Sequence, residues 1–420
     1  MNIKKLACEA IEKILYKGDF FINTINDYYS KYDFTDEEKE EFFVLVKGVV
    51  NKKITLAYYL EPYLRKKRKP WVNVILLLST FEYVYLDKEK NDIINDALEV
   101  VFSKDRTISN FIKGILLNLF RNPLQDIFGS GLDEIQRLSI KYSYPTWLVS
   151  YLLKDYPYDV VDKVLAYDSQ NNDCYMTILG DENEIKEKED ILNELNISFS
   201  KLPILNNAYT IKGDIKELVD NGIVLDEGLE YQMMVSISDI QKGDIILDLN
   251  ALDGVKEIHM NDILKDSGTI YACEIYKYRL KNIEKLLKKH GVKNTKLELV
   301  NPKNIHSYVS NKCFDKILVT LPSSGIGVLS EKVDLKYHIS YSGVEKVIVL
   351  QRTILDNVWP LLKANGSLII LNKSINKSEN EDMIREFIKS NGLVIEYEKT
   401  ILPYEYNTNG FYICKLGRRK

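Results

Sequence analysis

The sequence predicts a multidomain chain with an all-helical domain at residues 1–125, a small α+β connector at 126–225 and an α/β domain at 226–420. Three observations predict it. The 420 residues exceed what one core organises, since domains run to roughly 100–200 residues. The hydrophobic period changes twice, from helical repeats to short alternating runs and then to strands alternating with helices. The composition, 45% hydrophobic and 28% charged, is that of a globular protein and excludes disordered or collagen-like chains.

In the first region Leu6, Ala10, Ile11, Ile14 and Leu15 form a helical stripe. Thr35-Asp36-Glu37-Glu38 reads as a capping box before Phe42, Phe43, Val46 and Val49. Apolar runs at Ile54–Leu64, Val72–Tyr85, Ile93–Val101 and Ile108–Leu119 follow, which gives about six or seven helices. Tyr144-Pro145-Thr146-Trp147 interrupts the pattern, and helical signals to about Tyr167 give way to alternating segments at Tyr175–Leu179, Phe199–Leu202 and Ala208–Ile211. Between them the charged stretch Glu182–Asp190 reads as a solvated helix face. From about Asp226 the strand candidates are Ile245–Leu249, Thr269–Glu274, Leu297–Val300, Phe314–Leu321 and Ser367–Leu371, with amphipathic helices between most of them. That alternation predicts a parallel sheet covered on both faces. Two last strands, Leu393–Tyr397 and Phe411–Lys415, are expected to pair antiparallel across the Pro403–Asn409 loop.

No stretch approaches the ~20 apolar residues of a membrane span. Met1-Asn2-Ile3-Lys4-Lys5 runs directly into a charged amphipathic pattern, so a cytoplasmic protein without a signal peptide is expected. Cys8, Cys174, Cys273, Cys313 and Cys414 are odd in number and lack a C-x-x-C spacing, which points to free thiols. His259, His290, His306 and His338 are equally scattered, and no metal site is expected. A net charge of −4 excludes a surface that coats nucleic acid uniformly but leaves room for a local patch. The candidate patch is Arg65-Lys66-Lys67-Arg68-Lys69, with a smaller group at Arg418-Arg419-Lys420. Five consecutive cations repel one another, a cost that RNA phosphates would offset.

Asp248 ends the first strand of the α/β region, and Gly254 lies in the turn to the next helix, where open α/β sheets bind ligands. Glu274 closes the second strand, where a carboxylate can take the two hydroxyls of a ribose. Together they favour a nucleoside site. The turn Thr320-Leu321-Pro322-Ser323-Ser324-Gly325-Ile326-Gly327 falls at the same edge of the sheet.

Several segments then carry a resemblance from end to end: Asn95-Asp96-Ala97-Leu98, Phe111–Arg121, Pro145-Thr146-Trp147-Leu148-Val149, Gln232 and Leu247–Lys256. Phe314–Leu318, Pro322–Leu329, Gln351, Gly366–Ile370 and Ser374–Glu381 continue it. The chain resembles the RsmB-type ribosomal RNA cytosine-5 methyltransferases. The resemblance implies a NusB-like RNA-binding helical domain, the connector, and a Rossmann-like domain dependent on S-adenosylmethionine. It also implies ribosomal RNA as partner. In such enzymes one cysteine adds to C6 of cytosine, which makes C5 nucleophilic enough to take the methyl group, and a second cysteine assists product release.

The chain departs from the family at those positions. The nucleophile's Thr-Cys-Ser turn aligns with Asn372-Lys373-Ser374, and the Asp-Ala-Pro-Cys-Ser-Gly turn aligns with Thr320-Leu321-Pro322-Ser323-Ser324-Gly325. Lys373, Ser323 and Thr320 therefore stand where two thiols and an aspartate are expected. A thiol is a few per cent thiolate at neutral pH, whereas a serine hydroxyl without a base is not ionised and a lysine is protonated. Cys313 precedes the fourth strand and so lies roughly 20 Å from its carboxyl end at ~3.3 Å per residue. In the cofactor loop Val255 replaces a glycine and Asp253 adds a negative charge. Asp248, Gly254, Lys256, Glu274 and Asn301 remain as candidate S-adenosylmethionine contacts, with binding expected to be weak or lost. The resemblance with these departures predicts an RNA-binding protein impaired in catalysis. The alternative is an active methyltransferase with a non-standard mechanism or acceptor.

Overall fold

Local signals set the N-terminal helices. In a computed structural model describing residues 2–64, 68–128, 131–167, 174–305 and 313–418, Asn2 caps α1 (Ile3–Glu12) by accepting from Lys5 N at 2.8 Å. The helix α2 (Phe21–Lys31) follows, and the capping box of Thr35 and Glu38 opens α3 (Asp36–Leu60). Pro70 takes the first position of α4 (Pro70–Tyr85), where its missing N–H costs nothing. Then come α5 (Lys90–Phe102) and α6 (Ser109–Arg121). Ile11, Phe42, Val46, Leu76, Val101 and Leu116 fill one core. At the contact of α3 with α4, a Cβ on Gly48 would sit 2.0 Å from the Phe81 ring, so only glycine admits that ring.

The chain forms two compact units, residues 1–167 with 329–341 and residues 168–328 with 342–420. The segment expected as a connector is divided between them. Its helices α7 (Glu134–Tyr142), α8 (Thr146–Asp155) and α9 (Tyr158–Ala166) belong to the first unit. There Ser143 Oγ accepts from Ile54 N at 2.9 Å, tying the end of α7 to α3. The segment Leu329–Tyr341 is held in the same unit by Lys336, whose buried ammonium donates to Asn51 O at 2.8 Å, and by Asp334, which accepts from Phe21 N at 2.8 Å.

In the second unit β1 (Cys174–Thr177), β2 (Phe199–Lys201), β3 (Ala208–Ile211) and β4 (Leu225–Asp226) form an antiparallel sheet in the order β2-β3-β1-β4. The helices α10 (Glu182–Glu194) and α11 (Lys216–Asp220) connect its strands, and α12 (Leu229–Ile237) leads out of it. The larger sheet contains β5 (Ile245–Asp248), β6 (Thr269–Glu274), β7 (Thr295–Leu299), β8 (Phe314–Leu321), β9 (Leu362–Asn372), β10 (Leu393–Ile401) and β11 (Phe411–Arg418). Its order is β10-β11-β9-β8-β5-β6-β7, with β5 to β9 parallel and β11 antiparallel to both its neighbours. Apolar clusters cover both faces, as buried parallel strands require. β9 begins five residues before the expected Ser367, because the chain passes Asn365-Gly366 without turning and absorbs the irregularity as a register shift against Phe314 and Lys316. Successive strands run outward from β5 to β7 and then resume on the other side at β8. This reversal opens a crevice at the carboxyl ends of β5 and β8, beside α13 (Val255–Leu264) and α14 (Lys277–Lys289).

Candidate active site at the carboxyl edge of the sheet

Asp248, the last residue of β5, is fully buried and meets Lys256 Nζ at 2.7 Å; the same ammonium donates to Asn250 O at 2.7 Å. Burial disfavours the Lys256 charge, but Asp248, Glu257 and Tyr231 outweigh it and raise the lysine's pKa. Glu257 is also buried beside Asp248; burial first, and then Asp248, push its pKa well above the usual carboxylate range. Gly254 has φ +91°, and a Cβ there would meet Ile283 Cγ2 at 2.9 Å, so the tight entry into α13 excludes a side chain. Asp253 Oδ1 accepts from Val255 N at 3.2 Å. Its carboxylate thus occupies a backbone donor at the helix N-terminus that would otherwise face an anionic ligand.

At the ribose end Glu274 closes β6, and Oε1 accepts from Ile275 N at 2.8 Å and Tyr276 N at 3.1 Å. Among the described residues, the contact of its Oε2 is with Arg279 at 3.4 Å. Asn301 is exposed, and its Oδ1 caps the next turn by accepting from Lys303 N at 3.0 Å. Among the residues that would hold S-adenosylmethionine, Glu274 keeps an oxygen that ribose hydroxyls could use, and the Asp253 carboxylate lies at the start of α13.

The loops after β8 and β9 are joined by Glu379, a buried carboxylate. It accepts from Ser324 N at 2.9 Å, Ser374 Oγ at 3.1 Å and Gln351 Nε2 at 3.3 Å, and from Ser324 Oγ and Asn376 Nδ2. Gly410 N donates to Gly327 O at 2.7 Å, and a Cβ on Gly327 would lie 1.9 Å from Gly410 O. Ser323 Oγ accepts from Gly325 N at 3.2 Å, and buried Thr320 Oγ1 has no hydrogen-bond partner among the described residues.

Lys373 follows β9 at this edge. Its Nζ lies 2.7 Å from Glu230 Oε1 and 4.7 Å from the centre of the Tyr231 ring, both residues coming from α12. Burial would lower its pKa, but Glu230 and Tyr231 outweigh that and hold it raised. Lys373 is thus an ammonium with no lone pair to offer a carbon centre.

The five thiols lie elsewhere. Cys8 belongs to the helical core, Cys174 opens β1, Cys273 lies inside β6, Cys313 stands just before β8, and Cys414 lies inside β11. Burial pushes the Cys8 and Cys414 thiols up to about 12. Arg65, Lys66 and Lys67 fall outside the described residues, as do Arg419 and Lys420. Of the rest of that cluster, Arg68 sits over the Phe111 ring at 5.6 Å and Lys69 precedes α4, while Arg418 donates to Leu362 O at 2.7 Å. No group of three His, Cys, Asp or Glu suited to a metal occurs among the described residues, and none of their helices is long and apolar enough to cross a membrane.

Sequence reasoning did not find Glu230 and Tyr231 as partners of Lys373, because the pair lies far away in the chain. The buried acids Glu257 and Glu379 were equally hidden, since charge in a sequence suggests exposure.

The fold and crevice define a class: an α/β unit of the methyltransferase type accompanied by an all-helical unit. Two family models match, "16S rRNA methyltransferase RsmB/F" over residues 235–417 and "NusB family" over residues 1–121. The chain therefore carries a methyltransferase region of the RsmB/F type and a helical region of the NusB type. It is 24% identical over 452 residues to the probable ribosomal RNA small subunit methyltransferase B of Bacillus subtilis (strain 168), with 100% of this chain and 99% of that protein covered. The crystal structure of PH0851 superposes with a TM-score of 0.74 at 18% identity, covering 99% of this chain and 98% of that one. A methyltransferase homolog protein from Pyrococcus horikoshii gives a TM-score of 0.61 at 17% identity over 69% of this chain and 100% of its own. These two likenesses show the fold.

Proposed function

We propose that this chain is a cytoplasmic RNA-binding member of the family that handles ribosomal RNA, with cysteine-dependent methyl transfer lost and S-adenosylmethionine binding weakened. The observation that carries the reading is the ion pair of Lys373 with Glu230 at the nucleophile's position. Addition to C6 of cytosine needs a free electron pair on a good nucleophile, and a paired ammonium has none. Neither serine replaces it. Ser323 Oγ is held by a backbone N–H, and Ser324 donates to Glu379, whose oxygens already take several donors. The Asp253 carboxylate at the start of α13 supports weakened cofactor binding, because it would stand beside the cofactor's own carboxylate. RNA binding rests on the NusB-like region 1–125, with Arg65, Lys66, Lys67, Arg68 and Lys69 as its candidate contacts, and on the family's substrate class.

Filter binding of 16S rRNA run in parallel with transfer from tritiated S-adenosylmethionine tests the reading. RNA retained without tritium in cytosine is the expected result. Tritiated 5-methylcytosine, or no RNA retained, contradicts it.

A further inference from the structure

We propose that the exposed face of α14, with the edge strand β7, is a docking surface for single-stranded RNA leading toward the carboxyl edge of the sheet. This inference rests on the RNA-binding reading above and gives it a location in the second unit. In a chain of net charge −4, residues 277–296 hold eight lysines or arginines and one acid, Glu284. Along α14, Lys277, Lys281, Lys285 and Lys288 recur at helical spacing, so they form a stripe on one face. Lys288 pairs with Glu284 at 2.9 Å and Lys289 with Asp220 at 3.0 Å. Lys277, Lys281, Lys285 and Lys293 have no ion pair among the described residues and are exposed. The fold therefore leaves their charge uncompensated.

A groove of about 490 Å³ separates this helix from β7. Lys277, Lys281 and Lys288 line it together with Glu284, whose charge is taken by Lys288, while Leu280, Leu287 and Leu297 provide apolar surface. At the end nearest the crevice, Tyr276 and Tyr278 are 46% and 61% exposed with ring centres 5.7 Å apart. Arg279 lies 4.9 Å from the Tyr276 ring and fixes the pair. A cationic rim suits phosphates and exposed aromatic faces suit stacked bases, the combination that single-stranded nucleic acid requires. An acidic peptide would use the rim but has no use for the tyrosine faces. Because α14 begins directly after Glu274, a strand following the stripe arrives at the crevice.

Fluorescence anisotropy with a labelled single-stranded oligoadenylate tests the surface, using the full chain, a Lys281→Glu/Lys285→Glu variant and a Tyr276→Ala/Tyr278→Ala variant, with circular dichroism as a check on folding. The charge variant is expected to bind on the order of tenfold more weakly, with a salt slope shallower by about 1.4 for two lost contacts. The tyrosine variant is expected to lose affinity with its slope unchanged. Unchanged binding by both variants, while the native chain binds both oligoadenylate and 16S rRNA, overturns the surface and leaves the RNA reading intact. A native chain that binds neither RNA overturns both. Displacement of oligoadenylate by polyglutamate at equal charge concentration, with the tyrosine variant unaffected, reassigns the surface to an acidic protein.

Discussion

Lys373 shows how one substitution changes the chemistry open to a site. A cysteine there could reach the thiolate form near neutral pH, whereas Glu230 and Tyr231 keep the lysine protonated throughout that range. The identity of the residue was legible in the sequence, but its partner was not, because folding alone brings α12 beside the end of β9. His259 illustrates the same limit. It looked like one of four scattered histidines, yet its Nδ1 meets Glu227 Oε2 at 2.8 Å in a buried cluster where Thr177 Oγ1 also donates to that oxygen at 2.7 Å. Burial opposes the imidazolium charge, but Glu227 and Asp262 outweigh it, so the folded pKa is raised above the ordinary 6.5. The stability this pair contributes is complete below about pH 6.5 and is lost as pH rises through the folded value. Urea melts of native and His259→Gln protein should therefore differ most near pH 5.5–6 and converge toward pH 9; a gap independent of pH would refute this assignment.

At the level of elements, Glu379, in the loop after β9, ties that loop to the loop after β8. Its oxygens gather donors from the turn after β8, the turn after β9 and helix Tyr341–Val358. Glu379→Gln keeps the volume but presents an amide N–H₂ to groups that donate, leaving buried donors unsatisfied. We expect a loss of about 2–4 kcal/mol in denaturant melts; a change below 0.5 kcal/mol would mean the loops are held by other contacts. Thr269–Glu274 and Phe314–Leu321 were legible as strands because continuous apolar runs bounded by turn residues mark buried parallel strands. The α14 stripe escaped notice because its cations are spaced every three or four residues rather than adjacent. The division of residues 126–225 was hidden for another reason: helix periodicity says which face is buried but not against which partner.

Across the whole molecule, the architecture of the RsmB/F-type enzymes is retained, and the proposal concerns only the groups at the carboxyl edge of the sheet. The passage from stacked helices to a sheet covered on both faces was legible because hydrophobic period alone separates the two. The proposed loss of methyl transfer was legible at Thr320, Ser323 and Lys373 once the loops were aligned, and the proposed weakening of cofactor binding at Asp253 and Val255. The sequence already set Cys313 at the far end of its strand. The structure places Cys273 and Cys414 inside strands and Cys313 before β8 rather than after it.

Covalent trapping tests the proposed loss of addition to C6 directly. RNA containing 5-fluorocytidine captures an enzyme that adds to C6 and methylates C5, because fluorine replaces the proton whose removal would release the adduct. Incubated with this RNA and S-adenosylmethionine, the native chain should give no adduct stable to denaturing electrophoresis, and a Lys373→Cys/Ser323→Cys/Thr320→Asp variant provides the comparison. A stable adduct on the native chain, at Lys373 or any of its cysteines, would contradict the account.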